Sequence, residues 1–99
     1  MEKETFGGWV YIMANRYRGT IYIGSTTDLS ARIFEHRNGR GSEFCARYGL
    51  TRLVWAERAE TVVDAKHHEK RLKRWRREWK IALIEKTNPE WNDLFDQLI

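Results

Sequence analysis

Proline and cysteine are each present once, as Pro89 and Cys45, in a chain of 99 residues. A single cysteine excludes a disulfide framework and a cysteine-rich metal site, and an unpaired thiol fits a reducing compartment. With so little proline, and no repeat or low-complexity linker, no domain boundary is visible. Residues 1–99 read as one domain with its core over about 9–94. No apolar run approaches the roughly 18 residues of a membrane span. The opening "MEKETFGG" lacks the basic and apolar regions of a signal peptide. The expectation is a cytoplasmic protein with no membrane partner.

What the chain does have is large side chains and positive charge. Apolar residues make up 41% and aromatics 13%, with five Trp. That is enough for one core in a domain that buries only roughly 60 to 65% of its unfolded surface. The net charge of +4 and pI of about 9.5 favour a polyanionic partner. The charge is concentrated: "KHHEKRLKRWRREWK", from Lys66 to Lys80, holds eight Lys/Arg against two Glu. On a helix, Lys66, Lys70, Lys73, Arg74 and Arg77 are candidates to lie along nucleic-acid phosphates, which makes binding salt-sensitive. The ordinary alternative is a solvated helix face.

"WVYIMA" and "TIYIG" are β-rich runs on either side of "NRYRG". Pairing Val10 with Ile23 and Ile12 with Ile21 makes a hairpin with the loop Asn15 to Arg18. It sets Tyr11 opposite Tyr22 and puts Val10, Ile12, Ile21 and Ile23 on the other face. "STTD" supplies cap residues for a helix from about Leu29 to Asn38, which Gly39 ends. "RGSEFCARYGL" reads as an irregular segment, and "TRLVWAER" as a third strand with Leu53 and Trp55 on one face. Thr61 opens a helix from about Val62 to Arg76, and "WKIALIEK" forms another that Pro89 breaks. The sum is an α+β domain, a small three-stranded antiparallel sheet flanked by helices.

Val62, Ala65, Glu69 and Leu72 form one helical stripe, so the Glu69 carboxylate sits on a face otherwise made for packing. It must be paired, hold a metal or face a cleft; the ordinary reading is an intrahelical pair with Lys73 or Lys66. His67 and His68 flank it, but neighbours on a helix project about 100° apart, so both cannot join it at one metal. Arg32 and His36 share a side of the first helix. Alone, they read as a partner of Asp28 and a surface histidine. Together, Tyr11, Tyr22, Arg32, His36 and Glu69 contain the parts for hydrolysing a phosphodiester. A carboxylate can hold a divalent cation, a guanidinium can bind phosphate, and a phenol or imidazole can move the proton of water.

In this order the chain resembles the GIY-YIG nuclease family, in its small stand-alone members. Trp9-Val10-Tyr11 stands for the first triad, with Trp and Val replacing Gly and Ile, and Tyr22-Ile23-Gly24 is the second triad intact. Arg32 and His36 in "LSARIFEHRNG", Glu69 in "HHEKRLKRW" and the closing "KIALIEKTNPEW" follow. The resemblance implies a metal-dependent DNA endonuclease in which Glu69 holds Mg²⁺ or Mn²⁺. Tyr11 then orients or activates water, Tyr22 and His36 assist, and Arg32 binds the scissile phosphate. Gly24 lets the backbone approach that phosphate. The family's late asparagine falls on Asn88 or Asn92; Asn88 is carried as the candidate. Structure-selective action in DNA repair or recombination is implied as well, with RNA as an alternative substrate. So is a homodimer or a separate specificity partner. Two rival readings are a nucleic-acid binding module with weak or no nuclease activity and, less favoured, a protein-interaction domain using Trp75, Trp79 and Trp91. Those three Trp have the spacing of core residues.

Overall fold

The computed structural model describes residues 7–98. Residues 1–6, most of the segment read for a signal peptide, and Ile99 lie outside it. β1 (Gly8–Ala14) is the middle of a three-stranded antiparallel sheet, with β2 (Ile21–Thr26) on one side and β3 (Arg52–Ala59) on the other. α1 (Leu29–Arg37) and α2 (Glu43–Tyr48) lie between β2 and β3 in sequence. α3 (Val62–Lys73), α4 (Arg77–Thr87) and a short 3-10 turn (Phe95–Leu98) follow. No described helix is long and apolar enough to cross a membrane.

β1 is apolar on both faces because both are covered: Val10 to Ala14 are all buried. On one face Val10, Ile12, Ala14 and Ile23 pack with Val54, Trp55, Ala65 and Leu72 of α3, Ile84 of α4 and Trp91. On the other, Tyr11, Met13 and Leu53 pack with Leu29 and Ile33 of α1, Cys45 of α2 and Leu50. The C-terminal segment is tied to the second face, where Asp93 accepts from the Leu53 amide at 3.1 Å and pairs with Arg37.

The hairpin register is shifted by two from the sequence reading: Tyr11 faces Gly24, Ile12 faces Ile23 and Met13 faces Tyr22. The longer loop explains it. Asn15 Oδ1 accepts from the Thr20 amide at 3.0 Å, and the Asn15 amide donates to the Thr20 carbonyl at 3.3 Å, closing a connection two residues longer than expected. A shift of two keeps every side chain on its face, so Tyr11 and Tyr22 still share one. Their rings lie 6.4 Å apart.

Leu53 and Trp55 do not share a face. Ile12 pairs with Trp55 while Met13 pairs with Leu53, so Val54 is the extra residue of a β-bulge. "RGSEFCARYGL" is not irregular throughout, since it holds α2. Ser42 Oγ accepts from the Cys45 amide at 3.3 Å at its start, and Gly49, at φ 67°, takes the left-handed conformation at its end. The long helix stops at Lys73, three residues early, and α4 starts at Arg77. The Arg77 guanidinium donates to the Arg18 and Gly19 carbonyls, both at 2.7 Å, tying α4 to the hairpin loop. Trp91 is buried and its Nε1 donates to Glu85 at 2.8 Å, whereas Trp79, expected inside, is 51% exposed.

Candidate active site

Alternation along β2 sends Tyr22 and Gly24 to the face that carries Tyr11, and Ser25 to the opposite face with Ile21 and Ile23. α1 covers the first of these and brings Arg32 and His36; α3 covers the second and brings Glu69. The candidate residues therefore form two groups that meet around the edge strand β2.

In the first group the Tyr11 hydroxyl lies 2.9 Å from His36 Nε2, and both residues are buried. His36 is thus not the surface histidine of the ordinary reading. Its ring also meets Tyr22 edge-on, with centroids 5.7 Å apart. Burial, followed by the Arg32 charge, pushes the imidazole below its ordinary pKa against the pull of Glu35, so His36 is neutral at pH 7. His36 Nδ1 is the one buried side-chain polar atom without a partner among the described residues. An N–H there would go unsatisfied at a cost of about 1–3 kcal/mol. That favours the tautomer in which Nε2–H donates to the Tyr11 oxygen. Burial and the Tyr22 hydroxyl push the Tyr11 phenol above its ordinary pKa, while hydrogen bonding and charge from Arg32 work the other way. Arg32 pairs with Glu35 at 3.2 Å, not with Asp28, whose carboxylate caps α1 at the Ala31 amide.

Gly24 has a role beyond the one expected of it. A Cβ at this position would lie 2.5 Å from the Tyr11 hydroxyl oxygen and 2.7 Å from Cζ. The tyrosine ring occupies the space that the missing side chain leaves.

In the second group both Glu69 oxygens are engaged. Ser25 Oγ donates to Oε1 at 2.6 Å, and Lys73 Nζ stands 2.7 Å from Oε2. Burial raises the Glu69 pKa, but hydrogen bonds from Lys73 and Ser25 and the charges of Lys73 and Lys66 outweigh it. The carboxyl lies below its ordinary value and is ionised at neutral pH. The intrahelical pair with Lys73 is present, and Ser25 adds a partner that the sequence reading missed. Its one signal was a serine at an inward position of β2. Lys73 joins the two groups, its Nζ lying 5.9 Å from the Tyr22 ring centroid. Arg32 and Lys66 meet at the end of β2, where with Ser25, Thr26 and Thr27 they line a recess of about 240 Å³.

No group of three or more His, Cys, Asp or Glu side chains arranged to hold a metal occurs among the described residues. A lone, partly exposed carboxylate beside a hydroxyl does not make a closed zinc site. It fits a hard ion that keeps several waters and takes further ligands from phosphate oxygens. Both carboxylate oxygens are engaged, by Ser25 and Lys73, so such an ion would take the place now held by the Lys73 ammonium.

Of the remaining candidates, Lys66, Lys70 and Arg74 are exposed on or just after α3, and Arg77 is committed to the hairpin loop. His67 is exposed, while His68 is partly buried with Nδ1 3.5 Å from Glu57. Asn88 is not brought to the site. It is the C-cap of α4, buried, and its Nδ2 donates to the Val54 carbonyl at 3.1 Å and the Asn92 carbonyl at 2.9 Å. Its Oδ1 accepts from the Asn92 amide at 3.1 Å.

Residues 7–82 match the GIY-YIG catalytic domain. A UPF0213 protein of Bacillus pumilus is 32% identical over 90 residues, covering 91% of this chain and 89% of its own length. A UPF0213 protein of Staphylococcus saprophyticus is 30% identical over 76 residues, 77% of this chain and 92% of its own. One of Staphylococcus epidermidis is 30% identical over 67 residues, 68% and 82% of the two chains. No solved structure gives a significant match.

Proposed function

The chain belongs to the GIY-YIG family, a family of nucleases that generally use a divalent metal and bind nucleic acid, and from that premise we propose that it is an endonuclease hydrolysing phosphodiester bonds of DNA. The observation that carries the reading is the convergence at β2. A neutral tyrosine–histidine pair stands beside an arginine, and an ionised carboxylate lies across the strand, joined to them through Lys73.

Glu69 is the residue that would hold Mg²⁺ or Mn²⁺. Such an ion, when bound, polarises the phosphate and stabilises the leaving oxygen. Arg32 binds the scissile phosphate and offsets charge as it develops. The water oxygen bonds to phosphorus as the bond to the leaving oxygen breaks, and the proton that water loses passes to the phenolate form of Tyr11, whose hydroxyl has first given its own proton to solvent. The His36 Nε2–H at the phenol oxygen and the influence of nearby Arg32 favour its ionised form against the effect of burial. Tyr22 lines the approach. The exposed Lys66, Lys70 and Arg74 hold the flanking phosphates. The single site cuts one strand at a time, and action on branched or interrupted DNA in repair or recombination is the form of the activity proposed.

A second reading, binding without cutting, draws on one observation: Lys73 stands where a cation would approach Glu69. A plasmid-nicking and branched-DNA cleavage assay in Mg²⁺, Mn²⁺ and EDTA separates the two, with Glu69→Ala and Arg32→Ala alongside. Metal-dependent cutting lost in both variants is expected. Salt-dependent DNA binding without cutting by the unaltered protein would give the second reading the lead.

A further inference from the structure

A recess of about 350 Å³ lies over the outer edge of β2, lined by Ile21, Tyr22, Ile23, Phe44, Lys73 and Lys80. Its volume is at the lower end of ordinary small-molecule sites. The wall is aromatic. Phe44 stacks on Tyr22 with centroids 6.2 Å apart and planes 29° from parallel, and Tyr48 extends the run 4.9 Å beyond Phe44. Neither is used up in the core, since Phe44 is 43% and Tyr48 49% exposed. The polar residues of the lining are Tyr22, Lys73 and Lys80, and two of them carry ammonium groups; Lys80 Nζ donates to the Lys73 carbonyl at 3.2 Å. Lys73 Nζ is at once 2.7 Å from Glu69 and 5.9 Å from the Tyr22 ring.

Flat apolar rings beside cations, with no carboxylate on the wall, match one kind of occupant: a nucleobase stacked on the rings with its phosphate against the lysines. A base inside a duplex has both faces covered by its neighbours, so only an unpaired base can enter. We propose that this recess binds an unpaired nucleotide of a DNA strand, stacked on Phe44, next to the point of cleavage. The substrate class is then DNA with a single-stranded tail or flap adjoining the duplex. This rests on the endonuclease reading, because the recess shares Tyr22 with the candidate site and Lys73 links it to Glu69. α2 is the element that supplies the platform: Ser42 and Gly49 cap both ends of this short helix and so hold Phe44 and Tyr48 against the sheet edge.

The test uses the full chain in EDTA with a blunt duplex and the same duplex carrying an unpaired tail. 2-Aminopurine is placed in the tail next to the junction. Stacking on one aromatic side chain corresponds to about 5- to 150-fold in affinity. The tailed DNA is expected to bind tighter by a factor in that range, with quenching of the probe. Phe44→Leu should erase both effects and leave blunt-duplex affinity within about twofold, and Phe44→Trp should keep them. Equal affinities for the two DNAs, or an advantage that survives Phe44→Leu, would overturn the proposal. Cleavage of both DNAs in Mg²⁺ is scored separately. Cutting without a preference for the tail sinks the stacking site alone, and a preference without cutting sinks the nuclease reading alone.

Discussion

Gly24→Ala separates two uses of one glycine. If Gly24 is there to let DNA phosphate approach the backbone, adding a methyl group lowers cleavage and leaves the fold intact. If it is there to seat Tyr11, the fold itself weakens. The distances favour the second effect. The new Cβ would stand 2.5 Å from the Tyr11 hydroxyl oxygen, 2.7 Å from Cζ and 3.0 Å from Tyr22 Cε2. Tyr11 has little room to retreat, because it is fully buried in the middle strand and its hydroxyl is bound to His36. Overpacking of this kind costs about 1–3 kcal/mol, and loss of the Tyr11–His36 bond adds about 1 kcal/mol. For a domain of this size each kcal/mol lowers Tm by roughly 4–8 °C, so a fall of about 8–30 °C is expected. Thermal and urea unfolding of the two proteins give the value. Tyr11→Phe in the Gly24→Ala background removes the shortest approach but not the one at Cζ, so partial recovery is expected relative to the sum of the single changes. A Gly24→Ala protein within about 0.5 kcal/mol of the parent would refute the steric reasoning. A large loss of cleavage in such a protein would return the glycine to the phosphate.

Tyr11 as proton acceptor predicts a rate that climbs with pH. Its pKa is raised, so the phenolate fraction grows about tenfold per pH unit from about pH 6 to pH 9; a flat profile, or the same slope in Tyr11→Phe, contradicts that role. Asn88→Ala leaves the Val54 and Asn92 carbonyls without their donor and should cost about 1–3 kcal/mol by urea unfolding. Nicking per folded molecule should stay unchanged, and a selective loss of nicking would bring Asn88 back to the site. Lys66→Ala with Lys70→Ala should reduce the slope of log affinity against log salt by about 2, roughly 0.9 for each duplex phosphate no longer neutralised. An unchanged slope would remove α3 from the DNA-binding surface.

What could be read from the sequence followed from parity and periodicity, and what could not depended on packing. Tyr11 and Tyr22 fall on one face despite a register wrong by two, because an even slip keeps faces and only an odd one exchanges them. Leu53 and Trp55 are separated because the bulge at Val54 adds one residue, which is the odd case. Glu69 stands out from its apolar stripe, but nothing in that stripe says which side of the sheet α3 covers. The strand between Glu69 and the tyrosines is therefore invisible in the sequence. Ser25 escapes notice for the same reason, since an inward serine means little until the carboxylate 44 positions away is known to face it. α2 is six residues long, too short for a periodic signal, and only its caps, Ser42 and Gly49, announce it. Once that helix is formed, Phe44 and Tyr48 cease to be loop residues and become a wall beside Tyr22. The candidate cleavage chemistry is thus legible from residue types at fixed spacing, whereas the surface that would select the DNA strand emerges only when β2, α2, α3 and α4 are folded together.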